Sequence, residues 1–248
     1  MAFVAADAYA RFMGRYSEPL ADQLVELAGV RRGMRALDVG CGPGALTARL
    51  ADRLGADHVA AIDPSAPFVA AARERCPGVD IRQGAAEALP YEDASFDLAL
   101  AGLVVHFMSD PVAGLREMGR VGGFVAATVW NHATATGPLT TFWRAVRDLE
   151  PGAADQSALP GTGEGDLGAL ARDAGLSDVR ESTLSVTVPY ATFEEWWEPY
   201  TLGVGPAGDY VARLDDEARE ALRAHCAGLL PTGPFAVDAT AWTVVARA

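Results

Sequence analysis

The run ALDVGCGPG at 36–44 is the strongest constraint on what this chain can become. Its first residues read as a short buried strand, and Gly40, Gly42 and Gly44 then leave three places without a Cβ. At such places the backbone turns sharply and a ligand can lie directly on it. The next residues, 46–54, space their apolar side chains as a helix does. Strand, glycine turn and helix in that order open a parallel crossover, whose strands are buried on both faces.

The same alternation continues along the chain. A helix is expected over 19–27, strands over 35–39, 58–63, 79–83, 96–103 and 124–130, and a helix over 66–75. Ser109-Asp110-Pro111 reads as a capped helix start, with the helix running to Val121 and straight into Gly122-Gly123. A looser stretch over 131–165 holds a helix near 142–149. A further helix at 166–174 and strands at 179–190 and 235–247 complete seven strands. Between the last two strands, 193–230 is rich in helix formers and is expected to lie over the sheet as a helical insertion.

Composition narrows the partners. The chain has 248 residues, half of them hydrophobic, so a large core is expected in one domain. A net charge of -13 without a basic stripe disfavours nucleic acid. Cys41, Cys76 and Cys226 are odd in number and far apart, as in a reduced cytoplasmic protein. The four histidines form no ligand pair, so no metal is expected. Neither a leader pattern nor a run of about 20 apolar residues is present, which predicts no membrane insertion. A soluble monomer or homodimer follows as the expectation.

Which ligand the turn takes is decided by its neighbours. Dinucleotide turns place the third glycine three residues after the second, and here the interval is two. Asp38, just before the turn, would repel a pyrophosphate but suits an ammonium or sulfonium, both of which S-adenosylmethionine carries. Asp63, at the end of the second strand, stands where an acid accepts hydrogen bonds from ribose hydroxyls.

These residues resemble the class I S-adenosylmethionine-dependent methyltransferases, in particular the small-molecule and quinone-biosynthesis subgroup. The resemblance covers about the first 130 residues. It rests on ALDVGCGPG at 36–44, AIDPS at 61–65, QGAAEALPYEDASFD at 83–97 and LAGLVVHFMSDP at 100–111. It implies a Rossmann-like, mostly parallel, doubly wound α/β sheet of seven strands, with an antiparallel last strand and an inserted helical cap. It also implies an N-terminal lid at 1–34, a cofactor core at 35–130 and a substrate cap from 131–165 and 191–234. By that likeness Gly40, Cys41, Gly42 and Gly44 line the methionine portion of the cofactor, Asp63 and Pro64 the ribose, and Ala85, Ala86 and Glu87 the adenine. Ala101 and Gly102 offer backbone to the amino group. The sequence departs from the family pattern twice: Ala85 replaces an acid that would accept from adenine, and the turn at Val121-Gly122-Gly123 is short.

Methyl transfer from a sulfonium is an in-line displacement, so alignment in a dry site matters most and a base is optional. His106, after the fourth strand, is the candidate base, and equally a residue that packs or shapes the pocket. Tyr9, Arg15 and Tyr16 form a lid, with Arg15 pairing the cofactor carboxylate, or else belong to a solvated amphipathic helix. Trp196, Trp197 and Tyr200 line an apolar acceptor pocket or pack the insertion onto the sheet. Cys41 reads as a small turn residue, with nothing nearby in sequence to activate it.

The expected activity is methylation of a small apolar or aromatic metabolite, with S-adenosyl-L-homocysteine as product. Two alternatives stand beside it: a non-catalytic cofactor-binding homologue, and an NAD-dependent oxidoreductase, which Asp38 and the glycine spacing disfavour.

Overall fold

A computed structural model describes residues 7–248, so the start of the predicted lid, residues 1–6, lies outside the described residues. A seven-stranded sheet forms in the order β3-β2-β1-β4-β5-β7-β6. The strands are β1 (Ala36–Val39), β2 (Val59–Asp63), β3 (Asp80–Gln83), β4 (Phe96–Gly102), β5 (Gly122–Trp130), β6 (Ser177–Tyr190) and β7 (Phe235–Arg247). The first five pair in parallel, while β7 runs antiparallel between β5 and β6. Every residue of β1 and β2 is buried, as helices on both faces of a parallel sheet require.

The two faces divide the core between them. On one, Leu37, Val39 and Ile62 pack with Leu115 and Met118 of α4 (Pro111–Val121) and Leu167 and Ala171 of α6 (Asp166–Asp173). On the other, Ala36, Leu98 and Leu100 meet Leu24 and Val25 of α1 (Arg15–Leu27) and Leu46 and Leu50 of α2 (Ala45–Leu54). Helix α3 (Ala66–Arg75) covers β2 and β3 through Val69 and Ala72. The predicted cap of α4 forms, with the Asp110 carboxylate accepting from the Ala113 N–H at 2.9 Å.

Three boundaries differ from expectation for identifiable reasons. Pro19 favours a first turn, yet α1 begins at Arg15 and carries Pro19 inside it, behind a π-helical turn at Ala10–Gly14. The insertion is broken into α7 (Phe193–Trp197), a 3₁₀ turn at Glu198–Leu202, α8 (Gly205–Arg213) and α9 (Asp216–Leu229). Gly203, at φ 68°, and Pro206 interrupt what helix propensity alone would join. Helix α4 passes into β5 with no loop, because Gly122 can lie against Ala99 of β4 at φ −124°. The short turn is therefore absent altogether and its backbone is unstrained.

Trp196, Trp197 and Tyr200 belong to an aromatic core that joins the insertion to α5 (Thr140–Leu149) and to α1. Tyr200 stacks on Phe142 with ring centres 4.5 Å apart and meets Trp196 at 4.8 Å.

Two stability outcomes follow. A Cβ on Gly122 would stand 2.9 Å from the Ala99 nitrogen, so Gly122→Ala should cost about 2 kcal/mol and lower Tm by roughly 6 °C, measured by thermal denaturation. Trp196→Ala should cost about 4 kcal/mol in urea unfolding while leaving the fold's cofactor crevice in place.

Candidate active site

The carboxyl ends of β1, β2, β4 and β5 open on one edge of the sheet, and there the chain collects its buried polar groups. The turn after β1 is pinned by the Gly40 and Cys41 N–H groups, which donate to the Ile62 carbonyl at 2.8 and 3.0 Å. Gly40 has φ 71° and sits against Val104, where any Cβ would collide. Its absence of a side chain thus serves packing within the protein. Gly42, at φ 53°, faces open space where a Cβ would project, so this glycine forms the cradle. Gly44, at φ 90°, turns toward Ala72 and Cys76 of α3 and away from the crevice.

Under this turn lies Asp38, 1% exposed. Burial raises its pKa to about 7, and the Thr47 hydroxyl, which donates at 2.6 Å, partly opposes the rise. Asp63 is also shifted upward by burial, and its two oxygens accept from the Gly42 and Ser65 N–H groups, each at 2.8 Å. Ser17 of α1 lines the same crevice, and its buried hydroxyl has no partner among the described residues. A cradle, a buried acid and an unsatisfied hydroxyl together fit a ligand that carries both positive charge and hydrogen-bonding groups. Burial keeps the Cys41 thiol protonated, which agrees with a turn role and not a nucleophilic one.

A second cavity, of about 200 Å³, adjoins the first. Tyr9 and Leu103 border both. Leu103 has φ 63°, rare for a residue with a Cβ, and is held there by its N–H, which donates to the Thr128 carbonyl at 2.9 Å. The remaining walls are largely apolar, with Phe12, Met13, Phe68 and Trp130 facing Val204 and Pro206 from the insertion. His106 and His132 also line this space. Burial lowers their pKa values to about 3 and about 4, so both rings are neutral at pH 7.

Several predicted site residues have other employment. Arg15 donates to the Pro189 carbonyl at 2.6 Å, pairs with Glu195 at 2.8 Å and lies over the Tyr190 ring, so its charge is spent on β6 and α7, outside the crevice. Tyr16 is buried with its hydroxyl 2.8 Å from that of Tyr190. Trp196, Trp197 and Tyr200 line neither cavity, because the aromatic core encloses them. Glu87 accepts from the Ser109 and Asp110 N–H groups at 2.7 and 3.2 Å and so fixes the start of α4. Ala86 packs in the core, while Ala85 and Pro64 are exposed and line neither cavity. Ala101 is wholly buried in β4, and Gly102 borders the crevice.

Sequence reading missed Ser17, Thr47, Leu103 and His132. Thr47 follows the glycine turn by less than one helical turn, and His132 follows β5 as His106 follows β4, so both carried a positional signal. Ser17 and Leu103 carried none.

Comparison with known proteins agrees with this geometry. Residues 37–126 match a family model described as a methyltransferase domain. An uncharacterized protein of Mycobacterium bovis is 30% identical over 241 residues, covering 90% of this chain and 86% of that protein. A malonyl-[acyl-carrier protein] O-methyltransferase of Erwinia billingiae is 38% identical over 100 residues, covering 40% of this chain and 39% of the relative. The chain thus spans about two-fifths of that relative's length. A phosphoethanolamine N-methyltransferase of Haemonchus contortus, solved with S-adenosyl-L-methionine, shares the fold with a TM-score of 0.61 at 17% identity, over 99% of this chain and 56% of that one. With the glycine turn, the buried acid before it and the strand order of the sheet, these matches place the chain in the class I S-adenosylmethionine-dependent methyltransferase family.

Proposed function

We propose that this chain transfers a methyl group from S-adenosylmethionine to a small, uncharged and largely apolar acceptor. The observation that carries the reading is the meeting of two unlike cavities at Tyr9 and Leu103, one with a buried carboxylate and one without a charged side chain. The cofactor, when bound, supplies an activated methyl carbon. Asp38 and Ser17 would hold its charged methionine end, the Gly42 cradle would admit it, and Asp63 would face the ribose. The apolar cavity would exclude water and align the acceptor, the main requirement of an in-line displacement. Tyr9, Phe12 and Met13 act as the lid, and Val204 with Pro206 as the cap. His106, held neutral by burial, is better suited to hydrogen bonding than to strong general-base work. An acceptor cavity without a charged lining also argues against nucleic acid and against a phosphorylated metabolite.

Calorimetric titration should detect both S-adenosylmethionine and S-adenosylhomocysteine, and a folded sample that binds neither overturns the proposal. Affinity should also depend on pH in a defined direction. With a pKa of about 7, Asp38 is protonated as the pH falls, and a cationic ligand loses its partner. Binding should weaken about tenfold per pH unit below 7. Asp38→Asn should bind weakly at all pH values and lose most of this dependence.

A further inference from the structure

The acceptor cavity contains two imidazoles that each have a buried nitrogen without a partner among the described residues. His106 is 4% exposed, and its Nδ1 is buried without a hydrogen-bond partner. The Nε2 of His132 is likewise buried and unpartnered. The two ring centres are 6.2 Å apart and the planes are steeply inclined at 74°. Those two nitrogens do not hydrogen-bond each other, and both rings line the same cavity. Buried polar atoms left unpaired cost free energy, so a site that keeps two of them side by side is completed by what binds there.

From this pair we infer that the methyl acceptor is a neutral alcohol or phenol whose hydroxyl is held between His106 and His132. The claim rests on the methyltransferase reading above and narrows it to O-methylation. A neutral imidazole offers one nitrogen that donates and one that accepts, and a hydroxyl is the small group that does both at once. Hydrogen bonds of about 2.8 Å from each ring let one oxygen bridge ring centres separated by up to about 8 Å, so the 6.2 Å spacing accommodates it. Charged acceptors are disfavoured by the same walls. Among the described residues no Asp, Glu, Lys or Arg borders the cavity to meet an ammonium or a carboxylate. Tyr9 and Gln156 add two further polar side chains, of which the Gln156 Oε1 already accepts from Trp143 at 3.4 Å and Tyr9 stands on the wall shared with the cofactor crevice. The surrounding Phe12, Phe68, Phe107 and Trp130 suit a ring-bearing body attached to the hydroxyl.

In the transfer, the acceptor oxygen forms a bond to the methyl carbon while the bond from that carbon to the sulfonium sulfur breaks, and the sulfur keeps the electron pair. The oxygen becomes strongly acidic as it takes the methyl group, so even a weakly basic imidazole nitrogen accepts the hydroxyl proton late in the transfer, and the proton leaves to solvent with the products. The products are the methyl ether, S-adenosylhomocysteine and one proton.

Binding measurements separate this inference from the broader one. With the protein saturated by S-adenosylhomocysteine, naphthol should bind at least about tenfold more tightly than methoxynaphthalene, the value of one well-made hydrogen bond, and more tightly than naphthoate or naphthylmethylammonium. His106→Phe and His132→Phe should each reduce that preference and the double variant should abolish it, with S-adenosylhomocysteine affinity unchanged. In the wild type, imidazole nitrogen NMR signals of both histidines should move with naphthol and not with the ether. Equal binding of naphthol and its ether, no binding of naphthol, or tighter binding of a charged probe overturns the hydroxyl assignment while leaving cofactor binding as separate support for methyl transfer. Loss of S-adenosylhomocysteine binding in the wild type overturns both.

Discussion

Strand β1 lies between β2 and β4 with both pairings parallel, and the rest of the molecule is arranged around that placement. Parallel neighbours align their carboxyl ends, so the turns after β1, β2, β4 and β5 reach the same edge. Helices cover both faces of β1 and β2, every residue of which is buried, and leave no room there for a solvated polar side chain. Polar chemistry is thereby confined to the edge, where Asp38 is retained within the sheet at a raised pKa and Asp63 ties the end of β2 back to the turn after β1. The crevice is a product of topology before it is a product of particular side chains.

Along that edge the molecule sorts its groups by charge. Carboxylates gather where β1 and β2 end, and neutral imidazoles gather where β4 and β5 end. Burial accounts for both states. It drives a carboxyl toward its protonated form unless a cation arrives, and it drives an imidazole to neutrality whether or not a ligand arrives. On the proposed function, one physical effect acting on two kinds of side chain would direct a cationic ligand and a neutral one to adjoining places.

The sheet was legible in the sequence because period and punctuation agreed: apolar runs of strand length alternate with helix-spaced segments, and glycine or a capped proline marks most junctions. The glycine turn was legible as a site, yet its three glycines proved unlike. Gly40 makes way for Val104, Gly44 for α3, and Gly42 for the open space of the crevice, and only tertiary contacts separate these demands. The aromatic residues of the insertion stayed undecided in the sequence for a related reason. Trp196, Trp197 and Tyr200 have the surface to line a pocket or to build a core, and nothing local decides which. Arg15 stood between a ligand's carboxylate and a solvated helix face, because its partners in the structure, Pro189 and Glu195, stand far away in sequence. Leu103 was invisible because its left-handed backbone is imposed from outside, by Thr128 of the neighbouring strand.

Leu103 and Tyr9 belong to the walls of both cavities, and a shared wall is a thermodynamic coupling. Whatever shift one ligand imposes on either side chain alters the room left for the other, and the resulting gain or loss of affinity is the same in whichever order the two arrive. The partition between the chambers therefore sets how strongly occupation of one favours or hinders occupation of the other. A substitution at either residue would act on cooperativity as well as on fit.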